Sequence, residues 1–199
     1  MHKVIVAQFV SLDSITDDPD GSAGTPHGGW AFRYGPGPVS GDKFKLGSVL
    51  DTAIKVLGRT TWELFAGLFA TRTDDFSRAL TAMGKIVASR SLSDVGRWVN
   101  STLLDGELTD VVRDRVRHQD VLVTGSGSVV EQLIAHDLVD EFRLLVFPIV
   151  LGKGRRIFDG ATGPLDVELV SSEEAGAGVL RQVYGRKRDQ EVAPCATHC

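Results

Sequence analysis

Cysteine is almost absent from this 199-residue chain, and the two that occur, Cys195 and Cys199, both fall in a polar stretch after the last patterned segment. No disulfide framework therefore holds the fold. No run approaches 18 consecutive apolar residues, which excludes a membrane-spanning helix, and Met1-His2-Lys3 leads directly into a strand pattern without the apolar region of a signal peptide. The expected location is cytoplasmic. There is no excess of basic charge either: 22 Lys and Arg against 26 Asp and Glu give a net charge of −4, so nothing calls for a nucleic-acid backbone or an acidic membrane surface. Any anion must be gripped locally. The five histidines are scattered, no Ser-His-Asp set is arranged, and no metal-ligand spacing occurs outside the tail, where Cys195, His198 and Cys199 read as incidental. No metal is expected, and the chemistry must come from a cofactor.

What the chain does have is glycine, 22 residues of it, and a 42% hydrophobic content, which together suit one globular domain with many turns. The domain is expected over residues 1–187, with 188–199 a flexible polar tail. Residues 3–11 (KVIVAQFVS) read as a strand covered on both faces. Residues 12–41 carry seven glycines and four prolines and read as a long functional loop, in which Trp30, Phe32 and Tyr34 alternate. Those rings need an apolar surface to cover: core packing of the loop is one reading, and contact with a substrate, through Trp30, is the other.

Beyond the loop, the spacing predicts a short helix over 42–52 capped by Asp42 and a strand over 53–57. A helix capped by Thr60 or Thr61 follows, then one from Asp74-Asp75 to Met83. Strands follow at 85–88 and 98–101, helices at 107–118 and 128–136 flank a strand at 120–124, and a long strand occupies 141–150. The chain then ends in a hairpin, 166–172 with 179–186, turning through Ala175-Gly176-Ala177-Gly178. Strands alternating with helices and then strands alone imply an α/β sandwich with a mixed sheet, mostly parallel and antiparallel at its C-terminal edge.

Two of the strand-to-helix turns are built to hold phosphate. In Leu57-Gly58-Arg59-Thr60-Thr61-Trp62-Glu63, Gly58 permits close approach, Arg59 offers a fork of donors and Thr60 can bond a phosphate oxygen. An arginine at a helix start lies against the dipole, which points to a partner outside the helix. In Val123-Thr124-Gly125-Ser126-Gly127-Ser128-Val129 a second glycine-rich turn opens a helix, without the G-x-G-x-x-G spacing of a Rossmann fold. Ser89 and Arg90 form a third polar strand end. Asp13 leaves the first strand at its carboxyl end, where a carboxylate can orient a substrate or relay a proton, or simply form an Asx turn.

Ser11-Leu12-Asp13, the Leu57 to Glu63 and Gly125 to Ser128 turns, Lys85-Ile86-Val87-Ala88-Ser89, Leu138-Val139-Asp140-Glu141 and Pro148-Ile149-Val150-Leu151-Gly152-Lys153-Gly154-Arg155-Arg156-Ile157-Phe158 together resemble the dihydrofolate-reductase-like superfamily. The closest likeness is to the branch of the C-terminal reductase domain of the bacterial riboflavin-biosynthesis deaminase/reductase. The resemblance implies a dihydrofolate-reductase-like three-layer sandwich and transfer of a hydride from NADPH to a small heterocyclic or sugar-derived substrate. The named substrate class would be that of 5-amino-6-(5-phosphoribosylamino)uracil reductases. Dihydrofolate reduction and a non-catalytic nucleotide- or flavin-binding role are the alternatives. It further implies that Gly58, Arg59 and Thr60 meet cofactor phosphates, Ser89 and Arg90 the adenosine side, and Gly125, Ser126, Gly127 and Ser128 the pyrophosphate. A homodimer supported by the apolar strand after residue 141 is implied as well. Two departures stand out: Ser14 follows Asp13 where the family commonly has glycine, and neither a folate nor an aminouracil signature is present.

Overall fold

The computed structural model describes residues 1–188, which form an eight-stranded sheet with helices on both faces. The strands are β1 (Val4–Ser11), β2 (Ile54–Gly58), β3 (Lys85–Ala88), β4 (Ser101–Leu103), β5 (Val121–Thr124), β6 (Glu141–Phe147), β7 (Val167–Glu174) and β8 (Leu180–Arg186). Their order is β4-β3-β2-β5-β1-β6-β8-β7, every pairing from β4 to β6 is parallel, and β8 is antiparallel to both of its neighbours. The helices are α1 (Val49–Thr52), α2 (Arg59–Phe69), α3 (Asp75–Ala82), α4 (Leu108–Arg115) and α5 (Gly127–Ala135). This is the expected three-layer mixed sandwich. The tail expected after residue 187 lies outside the described residues from 189 on, with Cys195, His198 and Cys199, which read as incidental rather than as metal ligands.

Alternation along the central strands divides the core in two. Ile5, Ala7, Leu57, Val87, Leu122, Leu145 and Phe147 face α2 and α3, with Trp62 and Ala66 of α2 among them. Val4, Val6, Val10, Val56, Ile86, Val121 and Val123 face the other way, against Val129, Val130, Leu133 and Ile134 of α5. Neighbouring strands β2 and β5 therefore send their helices to opposite faces, which opens a crevice between the starts of α2 and α5 at the carboxyl edge of the sheet.

Several local expectations change. Residues 42–48 are turns, not helix, because the Asp42 carboxylate accepts the Leu46 and Gly47 N–H groups while Lys45 and Gly47 take positive φ. The strand expected at 98–101 begins at Ser101 instead, since Trp98 is fully buried with its indole N–H on Thr81 Oγ1. Helix α2 starts at Arg59 with Gly58 at its cap position, so neither Thr60 nor Thr61 caps it. β6 lies inside the sheet between β1 and β8, which removes it as a free dimer edge. The edges are β4 and β7, and on β7 Val167, Leu169 and Val170 are open to solvent. No helix among the described residues is long and apolar enough to cross a membrane.

Candidate functional site

Gly58, at the end of β2, pairs with Ala88 at the end of β3, and β5 ends beside β2, so the three polar strand ends share one edge of the sheet. The turns at Gly58 and Gly125 are joined directly. The Gly58 N–H donates to Ser126 Oγ at 2.8 Å, and the Ser126 N–H donates to Thr61 Oγ1 at 2.9 Å. Ser126 holds φ 60 and ψ 58, a left-handed conformation that a non-glycine residue adopts at a cost and that these two bonds enforce. At Gly125, φ is 62 and a Cβ would meet Thr61 Cγ2 at 2.9 Å, so only glycine fits.

Because the Ser126 hydroxyl is turned toward Gly58, α5 has no side-chain cap, and α2, with glycine at its cap, has none either. By contrast α3 is capped by Asp74, which accepts the Ser77 N–H. Two uncapped helix starts, each offering N–H groups and the positive end of a dipole, thus open on one crevice. The surrounding cations are unevenly committed. Arg59 is exposed and reaches Glu63 of its own helix at 3.3 Å, so the partner inferred for it outside the helix is matched by a weak internal one. Arg90 is exposed, and Ser89 Oγ accepts the N–H groups of Ser91 and Leu92, closing a turn.

Arg155 and Gln8 line a small crevice on the α5 side of that edge, and neither was legible in the sequence as a site residue. A Cβ at Gly127 would stand 2.8 Å from Arg155 Cδ and 2.9 Å from its Nη1, so the arginine lies across the start of α5. No acidic partner holds Arg155 among the described residues. A crevice of about 10 Å³, room for one water, is lined there by Gln8, Thr16, Gly127, Val130, Arg155, Arg156 and Ile157. Gln8 is buried with its Oε1 unpartnered. A cation over the positive end of a helix, beside an orphaned amide oxygen, is a cradle that lacks an anion and a donor.

Asp13 does different work from that expected. Its carboxylate accepts Ser11 Oγ–H at 2.7 Å, the Leu151 N–H at 3.1 Å and the Gly152 N–H at 2.8 Å, which holds the 148–158 loop against the end of β1. The Ser11 hydroxyl and the two backbone donors hold its pKa down, at about 2. A carboxylate so committed is a poor proton relay at neutral pH; its role is to position the loop that carries Arg155. Ser14 takes φ 67, the left-handed turn that glycine would take, and its N–H donates to Ser11 O at 2.9 Å. Serine is thus accommodated in a left-handed turn at this position.

Trp30 is fully buried, with its indole N–H on Asp17 O at 2.8 Å and its ring edge-on to Phe147 at 5.3 Å. The expected contact with substrate is corrected: the ring roots the long loop in the core. Asp18 keeps that loop folded by accepting the N–H groups of Ala23 and Thr25 and the Thr25 hydroxyl. Among the described residues no group of three or more His, Cys, Asp or Glu side chains is placed to hold a metal ion.

The sequence profile of the RibD C-terminal domain family matches residues 2–181, and the chain belongs to that family. YyaP of Bacillus subtilis strain 168, an uncharacterized protein, is 28% identical over 103 residues, covering 50% of this chain and 53% of that one. The match thus spans about half the length of that curated relative. Among solved structures, a protein assigned by name to riboflavin biosynthesis from Shewanella sp. PV-4 superimposes with a TM-score of 0.72 at 23% identity, over 94% of this chain and 99% of that one. A pyrimidine reductase-like protein from Corynebacterium diphtheriae gives 0.53 at 11% identity, over 94% and 93%. The fold is shared with both of these proteins, as the resemblance to the dihydrofolate-reductase-like superfamily implied.

Proposed function

We propose that this chain is an NADPH-dependent reductase of the riboflavin-biosynthesis type, acting on a small heterocyclic substrate. The observation that carries the reading is the pair of uncapped helix starts, α2 and α5, tied together through Ser126 and overlain by Arg155. The cradle fits a dinucleotide phosphate group: free N–H donors from Arg59, Thr60, Gly127 and Ser128 would bind phosphate oxygens, and Arg155 would close over them. Ser89 and Arg90, one strand further along, fit the adenosine side. The cofactor, when bound, supplies the hydride. Gln8 would orient a donor group placed beside it, and Asp13 would keep the 148–158 loop in place. A homodimer in this reading joins through the exposed β7 edge.

Titrating NADPH into the protein while following the fluorescence of the buried tryptophans tests the reading; saturable quenching is expected, and its absence at millimolar NADPH would end it. The alternative, a nucleotide-binding protein without turnover, draws support from the commitment of Asp13 to loop positioning, which leaves no proton source at that point. Oxidation of NADPH with any reducible heterocycle would remove it.

A further inference from the structure

Three lysines stand on or beside the α2 face of the sheet, and only one of them is satisfied. Lys85 is buried, and its Nζ donates to the carbonyls of Thr81, Met83 and Val99 at 3.0, 2.6 and 3.0 Å. Lys55, on β2, is equally buried at 2% exposure, yet no hydrogen bond or ion pair reaches its ammonium among the described residues. Its Nζ lies 5.1 Å from the centre of the Phe65 ring. Lys43 is half-buried, and its Nζ lies 5.4, 6.0 and 5.4 Å from the rings of Phe9, Phe44 and Phe76, again with no ion pair among the described residues, although the Asp42 charge acts on it. Burial, with the charges of Lys43 and Lys85 nearby, lowers the Lys55 pKa to about 7; burial lowers that of Lys43 to about 8, with Asp42 opposing the shift and Arg72 adding to it. Thr124 adds a second orphan on the same face: it pairs with Ala7, and its buried hydroxyl has no partner.

An unpaired buried ammonium is among the costliest groups in a protein, and two that repel each other are costlier still. Lys55 has no negative charge acting on it, and Lys43 has only the Asp42 carboxylate, which forms no ion pair with it. The walls around them are aromatic, Phe9, Phe65 and Phe76 being half-buried rings that present flat faces. A phosphate is compact and strongly hydrated and is poorly matched to such walls, whereas a planar anion with delocalised charge meets both the rings and the cations. We propose that Lys55 and Lys43, on the α2 face of the sheet, read charge in the substrate, and that the substrate is a planar heterocycle carrying its negative charge on the ring or on a carboxylate attached to it. The Thr124 hydroxyl supplies a hydrogen bond to the same ligand. This deepens the reductase reading and rests on it for the word substrate; the binding site itself stands on the lysines alone.

The test compares two probes of one shape, orotate and its uncharged amide, by calorimetry on the whole chain at neutral pH without cofactor. Orotate is expected to bind about tenfold or more tightly than the amide, and K55M and K43M are each expected to erase that preference. Lys55→Met fills the same volume and is expected to fold; K43M, at a half-buried position, keeps the test open if it does not. Equal binding of the two probes, no measurable orotate binding, an undiminished preference in both folded variants, or stronger binding of inorganic phosphate would each overturn the proposal. NADPH titration of the same samples separates the two readings: NADPH binding without charge preference defeats this inference alone, and the reverse defeats only the reductase reading.

Discussion

The Ser126 N–H donates to Thr61 Oγ1 at 2.9 Å, so the start of α5 is held by a side chain from the first turn of α2, 65 residues away. Replacing Thr61 by valine keeps the shape and strands a backbone donor. A loss of about 1–2 kcal/mol is expected by urea unfolding, with weaker NADPH binding, and Thr61→Ser is expected to restore most of both.

Ser14 sits in a left-handed turn without being glycine. Ser14→Gly is expected to stabilise the fold by about 0.5–1 kcal/mol, because the relief of strain outweighs the added freedom of the unfolded chain. A thermal melt checks the sign, and Ser14→Val should move the midpoint the other way.

The two arginines at the crevice separate by role. Arg155 has no acidic partner and lies over α5, so Arg155→Ala is expected to leave stability almost unchanged while weakening NADPH and NADH binding by about tenfold, with a smaller salt dependence. Arg59→Ala gives up only an exposed pair worth about 0.5 kcal/mol. It is expected to weaken NADPH more than NADH if the guanidinium meets the 2′-phosphate. Equal losses would place that contact elsewhere.

Lys55 makes stability depend on pH in the alkaline range. The folded chain releases its proton near pH 7 and the unfolded chain near 10.5, so between these values the unfolded state binds more protons and stability rises with pH. Below about pH 7 the full cost is present. Lys55→Met is therefore expected to stabilise by on the order of 3 kcal/mol near pH 6 and by little near pH 10, measured as denaturation midpoints across that range.

Much of this could be read from the chain because local pattern and tertiary placement agree. The apolar run of β1, the glycine-rich start of α5 and the Ala175 to Gly178 turn each announce themselves within ten residues. The failures are also physical. The 42–48 segment has helical spacing, but Asp42 finds a nearer use for its carboxylate, and Thr60 has the chemistry of a cap but stands two residues past the cap position. Arg155 and Gln8 meet across the sheet from segments more than 140 positions apart, and Lys55 reads as one polar residue in a strand until Phe65 and Lys43 close around it. No window of sequence contains those meetings.

Helices α2 and α5 spring from neighbouring strands yet belong to different hydrophobic cores. Apart from the sheet, the two halves of the molecule are linked at that edge by the bonds of Ser126. A ligand gripping both helix starts adds a second rivet across the same seam. Amide exchange should then slow on Trp62 and on Leu133 together, one on each side of the sheet, although neither touches the ligand.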